Sequence, residues 1–185
     1  KNINLLIVTF FGIGYIKIAP GTFASLVTCI ILYQVFHQNN ILHFYVLIIL
    51  FILFFYSLYA IKSASKHFGQ KDSKKIVIDE VIGQSIPIYF FEYIMYLSPD
   101  ETDNNELIYH PLGLRWGFYF ILLLFFRIFD IYKPFPINWI DNKFKNSFGV
   151  LFDDILASVY TIITGGLIIM IIIPTILHFM YLWFY

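Results

Sequence analysis

"ILHFYVLIILFILFFYSLYAI", residues 41–61, holds no Asp, Glu, Lys or Arg in 21 residues. At a helical rise of about 1.5 Å per residue, such a run matches the ~30 Å hydrocarbon core of a bilayer. A helix packed in a soluble domain keeps a polar face, whereas this one is apolar all round. The stretch Ile155 to Ile173, continued by an apolar tail to Tyr185, has the same character. Three further segments are shorter or less pure: Thr22 to Phe36, Val81 to Leu97 and Leu114 to Phe129. The opening stretch, Ile3 to Ile18, lies between Lys1 and Lys17, contains Gly12 and Gly14, and precedes Pro20. It reads as an interfacial or re-entrant helix. The predicted fold is therefore all-α, a polytopic membrane bundle of about five segments plus this N-terminal helix. At 185 residues the chain has room for one integral-membrane domain, residues 1–185.

Composition agrees. Hydrophobic residues make up 59% and charged residues 13%, against about half and a quarter in ordinary globular domains. The formal net charge of zero argues against nucleic acid as a partner, because that contact needs a cationic surface. Cys29 is the single cysteine, which excludes an internal disulfide or a cysteine-built metal site. It reads as a small packed residue.

Cations between the segments set the orientation. Neither "HQNN" (37–40) nor the acidic "SPDETDNNELIYHPLG" (98–113) holds Lys or Arg. Lys62, Lys66, Lys71, Lys74 and Lys75 crowd the connection before Asp79, and Lys133, Lys143 and Lys145 follow Phe129. Basic connections favour the cytoplasmic side, and five single crossings place both of these there. The same alternation gathers three acidic groups on that face: Asp79-Glu80 at the start of one span, Asp130 at the end of another, and Asp153-Asp154 at the start of the last. Pro20-Gly21-Thr22 falls there too.

A carboxylate in the first turn of a helix is stabilised by the macrodipole by roughly 0.3–1 kcal/mol, so the two acidic pairs have an ordinary explanation. Asp130 has none, since the dipole opposes a carboxylate at a helix C-terminus. Arg127 at i−3, Lys133 at i+3 or a metal would compensate it. Converging carboxylates require an offsetting charge, and all-oxygen ligands suit a hard cation such as Mg²⁺. "KPFP" (133–136) cannot continue the preceding helix. It turns the chain at the membrane surface and leads to a short helix anchored by Phe135, Trp139 and Phe144. Gly21 and Ser25, and Ala24 and Thr28, have the spacing of closely packed membrane helices. Thr22 and nearby amides could instead receive a phosphate at a helix N-terminus. His37, His43, His67, His110 and His178 form no metal-ligand spacing, and no nucleophile elbow or P-loop is present. Glu92 is a lone acid within a span.

Four blocks in this order resemble the phosphatidylglycerophosphatase A family of bacterial lipid phosphatases. They are "APGTFASL" (19–26), "IVIDEVIGQ" (76–84), "FRIFDIYKPFPINWID" (126–141) and "GVLFDDILA" (149–157). The resemblance implies a Mg²⁺-dependent, multi-pass enzyme of the bacterial inner membrane with its active site on the cytoplasmic face. Its substrate would be a phospholipid, phosphatidylglycerophosphate, hydrolysed to phosphatidylglycerol and phosphate. It also implies that Asp79, Glu80, Asp130, Asp153 and Asp154 are the catalytic or metal-binding acids. Lys133 and Arg127, with Thr22, would meet the substrate phosphate. Ala24, Asn146, Ser147 and Ser158 stand where the family usually has glycine, and Asn138 where a basic residue is common. The rival readings are another Mg²⁺-dependent lipid-phosphate enzyme, an ion-conducting or transporting bundle, and a scaffold with basic loops. An ion path would spread its acids through the membrane depth.

Overall fold

The computed structural model describes residues 2–38, 43–69, 73–97, 112–144 and 146–172. The acidic stretch 98–111, Lys71, Lys145 and the apolar tail beyond 172 lie outside them. The described residues are all-helical, without a strand: α1 Asn2–Val8, α2 Pro20–Gln38, α3 His43–Phe68, α4 Ile78–Leu97, α5 Leu112–Tyr132, α6 Ile137–Lys143 and α7 Ser147–Leu167. A 3₁₀ turn, Ile13–Tyr15, follows α1, and a π-helical turn, Ile168–Ile172, extends α7.

Each of the five expected segments contains a long helix. Two of these helices, His43–Phe68 and Ser147–Ile171, are long and apolar enough to cross a bilayer. Only 22% and 28% of their most apolar stretches are buried within the chain, so both turn most of their greasy surface outward. A helix at the centre of a soluble core does the opposite.

Two boundaries differ from the expectation in informative ways. The helix expected over Ile3 to Ile18 stops at Val8, where Phe10, Phe11 and Gly12 take positive φ and reverse the chain. The result is a clip against the rest of the bundle. Val77 N–H donates to the Val8 carbonyl at 2.9 Å, and the Tyr56 hydroxyl donates to Asn4 Oδ1 at 2.6 Å. Gly14 lies so close to Lys75 that a Cβ would fall 2.0 Å from the Lys75 carbonyl oxygen. The last long helix also begins earlier, at Ser147 rather than Ile155, because Asn146 caps it by accepting from Gly149 N–H at 2.8 Å. Asp153 and Asp154 therefore sit in the second turn of α7, beyond the reach of the macrodipole explanation.

The helices alternate in direction. At one end Gly21 of α2 abuts Glu80 of α4 and Arg127 of α5, and Gly83 abuts Phe126 of α5 and Asp154 of α7. At the other end Gly165 of α7 meets Phe91 of α4 and Leu122 of α5, while Tyr33 stacks on Trp116 at 3.9 Å. Thus α2, α4 and α7 start where α5 finishes. The hydroxyl of Ser158 lies 2.6 Å from the Gly83 carbonyl oxygen and 2.7 Å from that of Asp154. That hydroxyl ties α7 to α4 directly beside the acids. Cys29 is buried, and Glu92 accepts a hydrogen bond from the Tyr119 hydroxyl at 3.0 Å. The lone acid is thereby satisfied by a neighbouring helix.

Gly83→Ala would set its Cβ 2.7 Å from the Phe126 ring and 3.1 Å from Asp154 Cβ. Such overpacking costs about 1–3 kcal/mol. Gly117 has open space where a Cβ would go, so Gly117→Ala should stabilise α5 by up to about 1 kcal/mol through helix propensity. Unfolding midpoints of the purified variants in mixed micelles should shift in opposite directions.

Candidate active site

Two helices deliver the clustered carboxylates. Asp79 and Glu80 come from the first turn of α4, and Asp154 from the second turn of α7. Gly83 and Ser158 let these two helices approach closely enough for the side chains to meet. One oxygen from each of the three carboxylates lies within 4.8 Å of the others. At that distance, with an effective dielectric of about 20, each pair of full charges repels by roughly 3–4 kcal/mol. Asp79 Oδ1, Glu80 Oε2 and Asp154 Oδ2 are all buried with no hydrogen-bond partner. Buried polar atoms are seldom left so. The group is all oxygen, and every unpaired atom is an acceptor. That donor set fits a hard divalent cation.

Two cations border the group. Arg127 Nη1 lies 2.6 Å from Asp130 Oδ2 in the last turn of α5 and 3.8 Å from Glu80 Oε1. The dipole-opposed carboxylate thus receives its compensation from i−3. Lys133 takes a left-handed conformation (φ 44°) where the chain leaves α5. Its Nζ lies 2.5 Å from Asp153 Oδ2 and 3.2 Å from Asp141 Oδ1. Burial alone would lower the pKa of this ammonium. Its hydrogen bond to Asp153 and the charges of Asp153 and Asp141 outweigh that, holding it above the usual lysine value. Lys133 therefore stays charged throughout the physiological range.

The five acids thus divide. Asp79, Glu80 and Asp154 form the tight group, while Asp130 and Asp153 each pair with a cation at its border. Thr22 is half-buried in the first turn of α2, and it is its neighbour Gly21 that touches the cluster. Two contributors escaped the sequence reading. The sequence places Gly21 on the face of the acids but gives no sign of its contact with Glu80, and it marks Asp141 only as the end of a motif. Asp141 had a legible signal, because Ile137 and Ile140 mark the buried face of α6 and Asp141 lies at i+4 from Ile137.

The structure thus brings a cluster of buried carboxylates, bordered by Arg127 and Lys133, to one end of a bundle whose apolar helices face outward. Comparison with known proteins gives the family. Residues 6–169 match the model of the family described as Phosphatidylglycerophosphatase A. A Haemophilus influenzae protein named Phosphatidylglycerophosphatase A is 32% identical over 161 residues, covering 87% of this chain and 85% of that protein. An Escherichia coli protein of the same name is 28% identical over 154 residues, covering 83% and 76%. A Bacteroides thetaiotaomicron protein, named provisionally as a phosphatidylinositol-3-phosphatase, is 34% identical over 164 residues, covering 86% and 89%. No solved structure matches. The chain belongs to the phosphatidylglycerophosphatase A family, and it is an enzyme, a phosphatase.

Gly21→Ala would place its Cβ 2.0 Å from Glu80 Oε1. The obstructing atom is the end of a flexible side chain, so Glu80 should swing aside at little cost to folding. A displacement of about 1 Å at a reacting centre can cost on the order of a hundredfold in rate. The variant should unfold at nearly the wild-type midpoint and lose activity on that scale in a phosphate-release assay.

Proposed function

We propose that this chain hydrolyses phosphatidylglycerophosphate to phosphatidylglycerol and phosphate, with Mg²⁺, on the cytoplasmic face of a bacterial inner membrane. The observation that carries this reading is the group Asp79, Glu80 and Asp154, whose buried oxygens lack partners beside Arg127 and Lys133. The site lies at the end of the bundle where the basic connections around Lys62, Lys74, Lys75, Lys133 and Lys143 emerge. If α2, α3, α4, α5 and α7 each cross the membrane once, the basic connections put that end at the cytoplasmic headgroup layer. A terminal phosphomonoester of a lipid sits at that depth.

Asp79, Glu80 and Asp154 would hold the cation, with Asp130 and Asp153 completing the acidic set. A bound divalent cation offsets negative charge on phosphate oxygens and makes a water molecule more acidic. Arg127 presents a planar guanidinium suited to phosphate oxygens, and Lys133 a point charge. Asp130 orients Arg127, and Asp153 orients Lys133. In the overall reaction a water oxygen bonds to phosphorus as the bond from phosphorus to the glycerol oxygen breaks. One water proton is taken up at the carboxylate cluster, and the departing glycerol oxygen gains a proton. The water attacks phosphorus directly or resolves a transient aspartyl-phosphate. Burial of these groups strengthens their interaction with a bound phosphate relative to water.

The ion-conducting reading loses ground on geometry. The cluster occupies one end of the bundle, and the deep acid, Glu92, is engaged by Tyr119. The Bacteroides relative makes a phosphoinositide the second substrate to try.

Purified protein in mixed micelles should release phosphate from phosphatidylglycerophosphate when Mg²⁺ is present and stop when EDTA is added. Phosphatidylinositol 3-phosphate and phosphatidic acid serve as competing substrates, and absence of release from every lipid would overturn the proposal. Asp130→Asn should remain helical and membrane-inserted while losing about a hundredfold or more in kcat, the scale of a lost electrostatic group. Independently of turnover, Asp79→Asn, Glu80→Gln and Asp154→Asn should each weaken Mn²⁺ binding, read by electron paramagnetic resonance, by about tenfold or more.

A further inference from the structure

Lys133 carries three N–H donors and no acceptor. Two are directed at carboxylates of very different character. Asp153, on α7, is buried against the acid cluster, whereas the Asp141 side chain is 41% exposed and approaches from the outer side. Asp153 alone would draw the ammonium down into the carboxylates, where it would act as a structural counter-ion. Asp141 pulls Nζ back toward the rim, and one donor is left over.

The placement of Asp141 is built with care by the surrounding chain. Seven residues are too few to form a stable helix alone, so α6 exists through its contacts. Ile137 is fully buried in one cluster with Phe126 and Ala157, and Ile140 is nearly fully buried. The Tyr160 hydroxyl donates to the Phe135 carbonyl at 2.7 Å, which pins the turn leading into α6. The opposite face of α6 carries Trp139, half exposed, with Lys143 Nζ 4.4 Å from its ring centroid. That outer face needs no acid for its own sake. An acid at position 141 serves the inner face.

We infer that Asp141 is a positioning residue for substrate phosphate. It holds the Lys133 ammonium at the rim of the acid cluster, with one N–H free for a phosphoryl oxygen of the lipid phosphomonoester. Asp141 itself touches no reacting atom and acts only through Lys133. This rests on the proposed reading of the site as a lipid-phosphate phosphatase, and it adds a residue and a mechanism for substrate affinity.

The test is a kinetic cycle on the full chain in mixed micelles, with phosphatidylglycerophosphate as substrate and Mg²⁺ present. Asp141→Ala should raise KM about tenfold with kcat little changed, the loss expected for one hydrogen bond to a charged group. Asp141→Asn, which keeps the shape and an acceptor, should fall between, and Asp141→Glu should restore most of the affinity. In a Lys133→Gln background, Asp141→Ala should add almost nothing, because partners in one interaction are not additive. A merely structural Asp141 would lower the unfolding midpoint without this split, rescue or non-additivity. The inference is overturned by wild-type KM in Asp141→Ala, by a fall in kcat alone, or by full additivity with Lys133→Gln. Wild-type protein that hydrolyses no lipid phosphate sinks the underlying reading and the inference with it. An active wild type with indifferent Asp141 variants sinks the inference alone.

Discussion

Mutual repulsion among buried carboxylates is the constraint around which this end of the bundle is organised. One oxygen each from Asp79 and Glu80, on α4, and Asp154, on α7, lies within 4.8 Å of the others, and the two helices lie far apart in the sequence. Left alone, such charges would drive α4 and α7 apart. Packing holds them together: Gly83 admits Phe126 and Asp154, Ser158 bridges to the Gly83 carbonyl, and Gly21 makes room for Glu80. The arrangement stores an electrostatic demand, and the proposed divalent cation would relieve it.

The two basic side chains do not neutralise the cluster from its centre. Arg127 is held at the border by Asp130, and Lys133 by Asp153 and Asp141. Because each cation is held by a carboxylate at the border, neither is drawn to the centre of the cluster. In the proposed reaction the cluster would hold the metal ion, and the N–H donors of the border cations would meet the phosphate oxygens. Collapse of the cations onto the acids would leave a stable salt-bridge network with no affinity for either.

Much of this was visible before any coordinates. A charge-free run at 41–61 and the distribution of lysines pointed to an apolar helical bundle with its acids on one side. The unfavourable position of Asp130 singled it out, and Arg127 at i−3 is the partner it receives. Other features were hidden for physical reasons. The start of α7 at Ser147 depends on an Asn146 side-chain cap in a polar stretch, which apolarity alone does not mark. The N-terminal clip depends on left-handed Phe10 and Phe11, a conformation that hydropathy cannot foresee in aromatic residues.

By itself the sequence determined which residue types are available and where along the chain. Helical segments follow from apolar length, the turn after α5 from proline chemistry, and the candidate acids from their lack of an ordinary place in such segments. Only the tertiary structure decided how five acids divide between a tight group and two cation partners, and that Asp141 and Gly21 belong beside them. Those outcomes depend on distances between helices far apart in sequence. Such distances are set by which small residues face each other across a contact, and no local pattern in the chain encodes them.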